Sequence, residues 1–303
     1  MANKTRKYLP IAGLSGFGPG GILLTNPDRS RQHSLEFAQS GGADTIYISQ
    51  VLKQLYVAAN FGKGRREFIN APVGVLQGMS MMDPVPGQAY KKGSLIWPFS
   101  RFNRATGLEE EMTAADVTEA LSFEVKADVA AVLPAGVVSV QGWQEEDDAR
   151  NVNPNGGADR NTPISFCTPL GVTIQGWNLA AGQNTINNIS IGRQIQRIVY
   201  FGALDANGLM TDPGLTNIIV KADGDEYVNA PIAKLNEFYR RFGFALLDTG
   251  DAVSGLPYAA YIPDHSGQIT DGLNVQQNLE VTLTSTAGGQ VWAAIETLEN
   301  LKA

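Results

Sequence analysis

The chain has 303 residues, enough for two domains of about 150 residues that each bury roughly 70% of their unfolded surface, so a core can form without disulfide or metal staples. With 43% apolar and 17% charged residues it has the make-up of an ordinary globular protein, and its 33 Gly and 15 Pro favour many turns over long helices. A formal charge of −7 argues against a nucleic-acid-coating role, which depends on clustered Lys and Arg, and the single cysteine, Cys167, excludes an intramolecular disulfide.

The one concentrated basic spot is Lys4, Arg6 and Lys7, read as a solvated terminus. Met1 to Pro10 lacks the apolar centre of a secretory signal, and the longest apolar stretch, Val129 to Val138, is broken by Pro134 and Gly136. That is far short of the roughly 20 residues a spanning helix needs, so synthesis in a cytoplasm is expected. Leu9 to Gly21 reads as extended chain and turns. Strand signals follow at Ile22–Thr25, His33–Phe37, Thr45–Ile48 and Gln54–Ala58, each short, rich in β-branched and aromatic residues, and separated by turn residues. From Pro72 to Met82 the pattern blurs, because Gly74 and Gly78 weaken a helix, and Asp83 to Gly87 ends it. Strands resume at Ser94–Phe99, Leu121–Ala127 and Val137–Trp143, with the acidic Leu108–Val117 as a loop or short helix.

Gln144 to Pro163 is the clear composition break, opening on Glu145-Glu146-Asp147-Asp148 and too polar to fold by itself. Beyond it, Val172–Trp177, Thr185–Ile191, Ile195–Phe201 and Leu215–Lys221 are strand-like. The best helix starts at Pro231, where Ile232, Leu235, Phe238, Tyr239 and Phe242 line one face between the start residues Asn229 and Pro231 and the stop residue Gly243. Strands return at Ala259–Ile262, Asn278–Thr284 and Gln290–Thr297.

Corresponding blocks in the two halves point to one unit written twice. Arg29, His33, Leu35 and Phe37 find counterparts in Arg193, Arg197, Val199 and Phe201. Asn70-Ala71-Pro72-Val73 matches Asn229-Ala230-Pro231-Ile232, Leu95-Ile96-Trp97-Pro98 matches Ala260 with Tyr261-Ile262-Pro263, and Leu121–Val125 matches Leu279–Leu283. The expected fold is all-β: two tandem eight-stranded jelly-roll sandwiches with short helices in the connecting loops. The expected division is an arm over 1–21, a first roll over 22–148, a linker over 149–164 and a second roll over 165–303.

Catalytic groups are scarce, and no catalytic, cofactor-binding or metal-ligating residue is assigned. His33 sits in an alternating strand, at the place of Arg197 in the other copy, and reads as structural. His265, in Pro263-Asp264-His265-Ser266-Gly267, reads as a turn, since adjacent Ser, His and Asp do not meet as a triad. Two histidines and no His-x-His pair exclude the metal sites of bicupin enzymes. Gly16-Phe17-Gly18-Pro19-Gly20-Gly21 matches a phosphate-binding fingerprint in letters only, because strand rather than helix follows. Asp223-Gly224-Asp225-Glu226 and Glu145 to Asp148 lack the spacing of a calcium loop and read as turn and solvated loop. Cys167 reads as a small packed residue, and Trp97, Trp143, Trp177 and Trp292 as core or interface packing rather than sugar platforms.

The duplicated sandwich, the lead-in Arg6-Lys7-Tyr8-Leu9-Pro10-Ile11 with Gly18-Pro19-Gly20-Gly21, and the segment Arg31-Gln32-His33-Ser34-Leu35-Glu36-Phe37 resemble the double jelly-roll major capsid proteins of tailless icosahedral bacteriophages. That lineage, which includes the tectiviruses and corticoviruses, commonly carries an internal membrane. The resemblance implies a virion shell subunit with no enzymatic activity and no cofactor. It also implies a homotrimer with a pseudo-hexagonal outline, contacts to neighbouring capsomers and to minor capsid or penton proteins, and an N-terminal arm facing the membrane or interior. A minor capsid or spike protein, or a glycan-binding β-sandwich, are the alternative expectations.

Overall fold

The computed structural model describes residues 7–10, 22–26, 31–60, 65–83, 91–98, 102–103, 108–109, 115–116, 122–147, 170–189, 194–263 and 272–298. The first half contains β1 (Lys7–Pro10), β2 (Ile22–Asn26), β3 (Arg31–Gly41), α1 (Ile48–Val51), β4 (Leu52–Asn60), β5 (Arg65–Pro72), α2 (Val73–Met82) and β6 (Ser94–Pro98). After the two-residue strands β7 (Phe102–Asn103), β8 (Leu108–Glu109) and β9 (Ala115–Asp116) come β10 (Ser122–Val129) and β11 (Val137–Asp147). The second half contains β12 (Leu170–Leu179), β13 (Gly182–Ile186), β14 (Gln194–Phe201), β15 (Leu215–Ala222), β16 (Asp225–Pro231) and α3 (Ile232–Arg241). It closes with β17 (Ala259–Tyr261), β18 (Leu273–Asn274), β19 (Leu279–Ser285) and β20 (Gly289–Leu298).

The eight main strands are wired identically in both halves. The first half orders its strands β1-β11-β3-β6 and β5-β4-β10-β2; the second orders them β12-β20-β14-β17 and β16-β15-β19-β13. Replacing each strand by its counterpart converts one pair of orders into the other. Within each order neighbours run antiparallel, and the first strand lies beside the last, which is the jelly-roll arrangement of eight strands in two Greek keys. Smaller features repeat as well: β9 lies against β3 as β18 lies against β14. A bulge falls between Val57 and Ala58 on β4 and at the corresponding Val220 and Lys221 on β15. A double jelly roll is therefore the fold, with the core supplied by inward residues of alternating strands such as Leu35 and Phe37 on β3 and Ile218 and Val220 on β15.

Register refines two of the matched blocks. Val125 faces Val57 as Val281 faces Val220, so Val125 corresponds to Val281 rather than Leu283. Trp97 faces Leu35 as Ala260 faces Val199, so Trp97 rather than Leu95 corresponds to Ala260. Both corrections are slips of two, which leave the same face inward and which alternation alone does not detect.

Other expectations change. Lys7–Pro10, assigned to the arm over 1–21, is strand β1, paired with Trp143 to Glu146 of β11. Thr45–Ile48 is a loop leading into one helical turn, closed by the Tyr47 amide donating to Gln50 Oε1 at 2.9 Å. The blurred Pro72–Met82 region is the ten-residue helix α2. Pieces of Leu108–Val117 are the short strands β8 and β9, and Gln144 to Asp147 continue β11 instead of opening the linker. Strands β5 and β16 were not anticipated in either half. The linker over 149–164 lies outside the described residues.

Candidate functional site

The two rolls meet along a seam. Edge strand β5 of the first roll pairs in parallel with edge strand β12 of the second through Ile69 and Val172, which merges two four-stranded sheets into one of nine strands including β18. Helix α2, which follows β5, is buried at eight of its ten residues. Its two glycines are the reason it can be: a Cβ at Gly74 would overlap the Gly208 carbonyl oxygen, and one at Gly78 would overlap the Gly255 carbonyl oxygen and Met210. Two turns of the second roll thus press their backbones onto the helix at positions i and i+4, one face of the helix. The Gly208 turn is shaped by Asp205, whose Oδ1 accepts the amides of Asn207 and Leu209 at 2.8 Å each. Ser49 Oγ donates to the Asn207 carbonyl at 2.7 Å and Gln50 Nε2 to Asn207 Oδ1 at 2.8 Å. The Ala245 amide donates to the Met82 carbonyl at 2.9 Å.

A buried ion cluster pins the end of α2. Arg197 on β14 is 3% exposed and lies between Glu296 on β20, fully buried and in contact with Arg197 Nε, and Asp83, which meets Arg197 Nη1 at 2.8 Å. Burial works against the guanidinium charge, but Asp83 and Glu296 outweigh it, and the Arg197 pKa stands above its ordinary value. One carboxylate comes from each roll, so the cluster is a clamp across the seam.

Helix α3 holds the place of α2 in the second roll. Each helix has a buried carboxamide at the same position: Gln77 Nε2 donates to the carbonyls of Lys92 and Ser94 at 2.8 and 3.1 Å, and Asn236 Nδ2 to those of Leu247 and Tyr258 at 2.9 and 2.7 Å. These amides tie each helix to the chain leading into or towards the next strand, a correspondence the repeat contains but the periodicity reading missed. The outer faces differ. Only Ile232, Leu235, Asn236 and Tyr239 of α3 are buried. Phe238 and Phe242, expected on the inward face, are 38% and 43% exposed and contact each other edge to face at 5.1 Å between centroids. Their stripe is rotated outward from that of Ile232, Leu235 and Tyr239. Beside them are the ion pairs Lys234–Glu237 at 3.0 Å and Arg241–Glu237 at 2.8 Å, and on the preceding strand β16 Tyr227 is 53% exposed.

The remaining sequence candidates do not converge. Asp223 builds a turn: in the left-handed region at φ 51°, its carboxylate accepts the amides of Gln276, Gln277 and Asn278 at 2.9, 2.7 and 2.9 Å, and these donors hold its pKa below the usual value. Trp97 is buried; Trp177 and Trp292 are partly buried against the core, with Gly176 leaving room for the Trp292 ring. Trp143 is partly buried on β11. His33 lies on β3; His265, Cys167 and Gly16 to Gly21 lie outside the described residues. Among the described residues, no group of three or more His, Cys, Asp or Glu could hold a metal ion, and no helix is long and apolar enough to cross a membrane.

No protein-family model and no curated protein matches the sequence. Solved structures do match in fold. The major capsid protein P2 from bacteriophage PM2 is similar over 97% of each chain at 16% identity with a TM-score of 0.71. The STIV MCP is similar over 98% of this chain and 97% of its own at 11% identity and a TM-score of 0.64. The PBCV-1 virus capsid is similar over 99% of this chain and 96% of its own, at 11% identity and 0.52. All are double jelly-roll proteins, and the likeness spans both rolls rather than one.

Proposed function

We propose that the chain is a major capsid protein of a tailless icosahedral bacteriophage, a non-enzymatic subunit that assembles as pseudo-hexagonal trimers into the virion shell. The observation that carries this reading is the strand-for-strand duplication. One jelly roll suffices for a lectin or an enzyme, whereas two equally wired rolls side by side give a threefold assembly six similar lobes, which tile a lattice as hexagons do. The end-to-end likeness to capsid proteins supports it. In this reading the lobes are the first roll, 22–148 with β1 added, and the second, 165–303, joined by 149–164. The N-terminal arm with Lys4 and Arg6 faces the interior or membrane, and capsomers contact one another and minor or penton proteins. A glycan-binding role is less well supported, because Trp97 is buried and Trp177 and Trp292 pack against the core.

The test is the mass of the purified full chain in solution, followed by its copy number in purified particles. Stable trimers and the highest copy number of any particle protein are expected. A strictly monomeric chain at high concentration contradicts the reading, and a low copy number moves it to a minor capsid or spike protein.

A further inference from the structure

We infer that β16 and α3 of the second roll form the surface with which one subunit grips the first roll of a second copy. The inference rests on the shell reading and adds to it the contact face and its chemistry. Within one chain, β5 and α2 of the first roll are covered by the second roll, through the β5–β12 pairing and the turns at Gly208 and Gly255. Strand β16 and helix α3 occupy the same places in the second roll, yet among the described strands β16 pairs only with β15, and Phe238 and Phe242 stay 38% and 43% exposed. β16 ends the order β13-β19-β15-β16, and its residues alternate only between exposed and half-buried.

A sheet edge left open invites another strand. The complementary edge also exists: β1 ends the order β1-β11-β3-β6, just as its counterpart β12 ends the second roll's first order, the edge that receives β5. Seating β16 beside β1 of another copy repeats the internal seam between molecules. Such a head-to-tail contact either closes into a ring or runs on as a filament, and a closed ring of three displays six lobes.

The outer surface of α3 is built differently from that of α2. Gly74 and Gly78 are replaced by Ala233 and Glu237, so a partner's backbone cannot come as close. Met79 is replaced by Phe238, and Asp83, the partner of Arg197, by Phe242. The grip between copies is therefore made by aromatic side chains rimmed with ions, where the internal seam uses backbone contact and a buried clamp. Exposed aromatics at the centre of a polar rim are the usual anchors of a protein interface.

The test is sedimentation of the unaltered full chain and of the double variant Phe238→Ser/Phe242→Ser, with circular dichroism to verify folding. The unaltered chain is expected to sediment as a trimer and the variant as a folded monomer, with association weakened roughly ten-fold or more. A variant that trimerises as tightly as the unaltered chain overturns this inference and leaves the shell reading standing. A monomeric unaltered chain overturns the shell reading, and this inference with it. Should the variant not fold, hydrogen exchange of the unaltered chain decides: slower exchange over 225–242 on concentration supports the inference, and unchanged exchange overturns it.

Discussion

Helices α2 and α3 follow the same Asn-Ala-Pro motif, sit on the same strand in two rolls of identical wiring, and carry a buried carboxamide at the same position. One is buried at eight residues of ten and the other at four. The fold does not set that difference; the surroundings do. Where the first helix is sealed under the second roll, its sequence gives up helix propensity for glycines that admit a neighbouring backbone. Where the second helix is exposed, it has an amphipathic composition with charges and two aromatic rings outward. A duplicated unit thus keeps its internal joints and diverges on the surfaces whose partners differ.

The two helices differ most at the clamp, which has no equivalent at α3 because Phe242 replaces Asp83. Arg197→Ala removes the buried guanidinium that Asp83 and Glu296 share and is expected to cost about 3–5 kcal/mol in denaturant unfolding. Phe242→Ala, half-exposed and in edge-to-face contact with Phe238, is expected to cost less, about 1 kcal/mol in the unassembled chain. Next comes the helix surface. Gly78→Val overpacks the seam against Gly255 and should cost about 1–3 kcal/mol, while Glu237→Val at the matching place changes thermal stability by no more than about 0.5 kcal/mol. Equal losses would mean that α2 and α3 are not differently covered.

Two smaller effects sharpen what the rolls share and what they do not. Gln77→Leu and Asn236→Leu each remove a buried amide that donates to two backbone carbonyls and should cost about 1–3 kcal/mol apiece, the two values agreeing closely if the amides do the same job. Asp223 tests a second-roll feature by pH. Its folded pKa lies below the ordinary 3.8, so its contribution is complete above that value and is lost as the pH falls through the lowered one. Asp223→Asn is therefore expected to lower the melting temperature at pH 7 and to have progressively less effect in acid, measured by calorimetry.

Much of the fold was legible in the sequence because the repeat is written in its punctuation. The Asn-Ala-Pro tetrads mark the end of a strand and the start of a helix, and they fall on the same rung in both rolls, Pro72 opposite Gln54 and Pro231 opposite Asn217. Strands β5 and β16 were not legible, since Arg65-Arg66-Glu67 and Asp225-Glu226 are polar and carry no alternation into their strands. Gly74 and Gly78 read as helix breakers because the atoms that require them belong to turns of the other roll, far along the chain. Thr45–Ile48 has strand composition but is caught by the Gln50 side chain in a turn. The seam clamp was half visible, in the alignment of His33 with Arg197, but its carboxylates come from segments that nothing in the local pattern connects.

On the shell reading, one chain supplies two equivalent lobes and three chains close into a ring of six. Averaged images of the purified full-length protein test it most directly. Threefold particles with six lobes of near-equal size are the predicted result. Isolated two-lobed particles, or rings that fail to close at three chains, would contradict it.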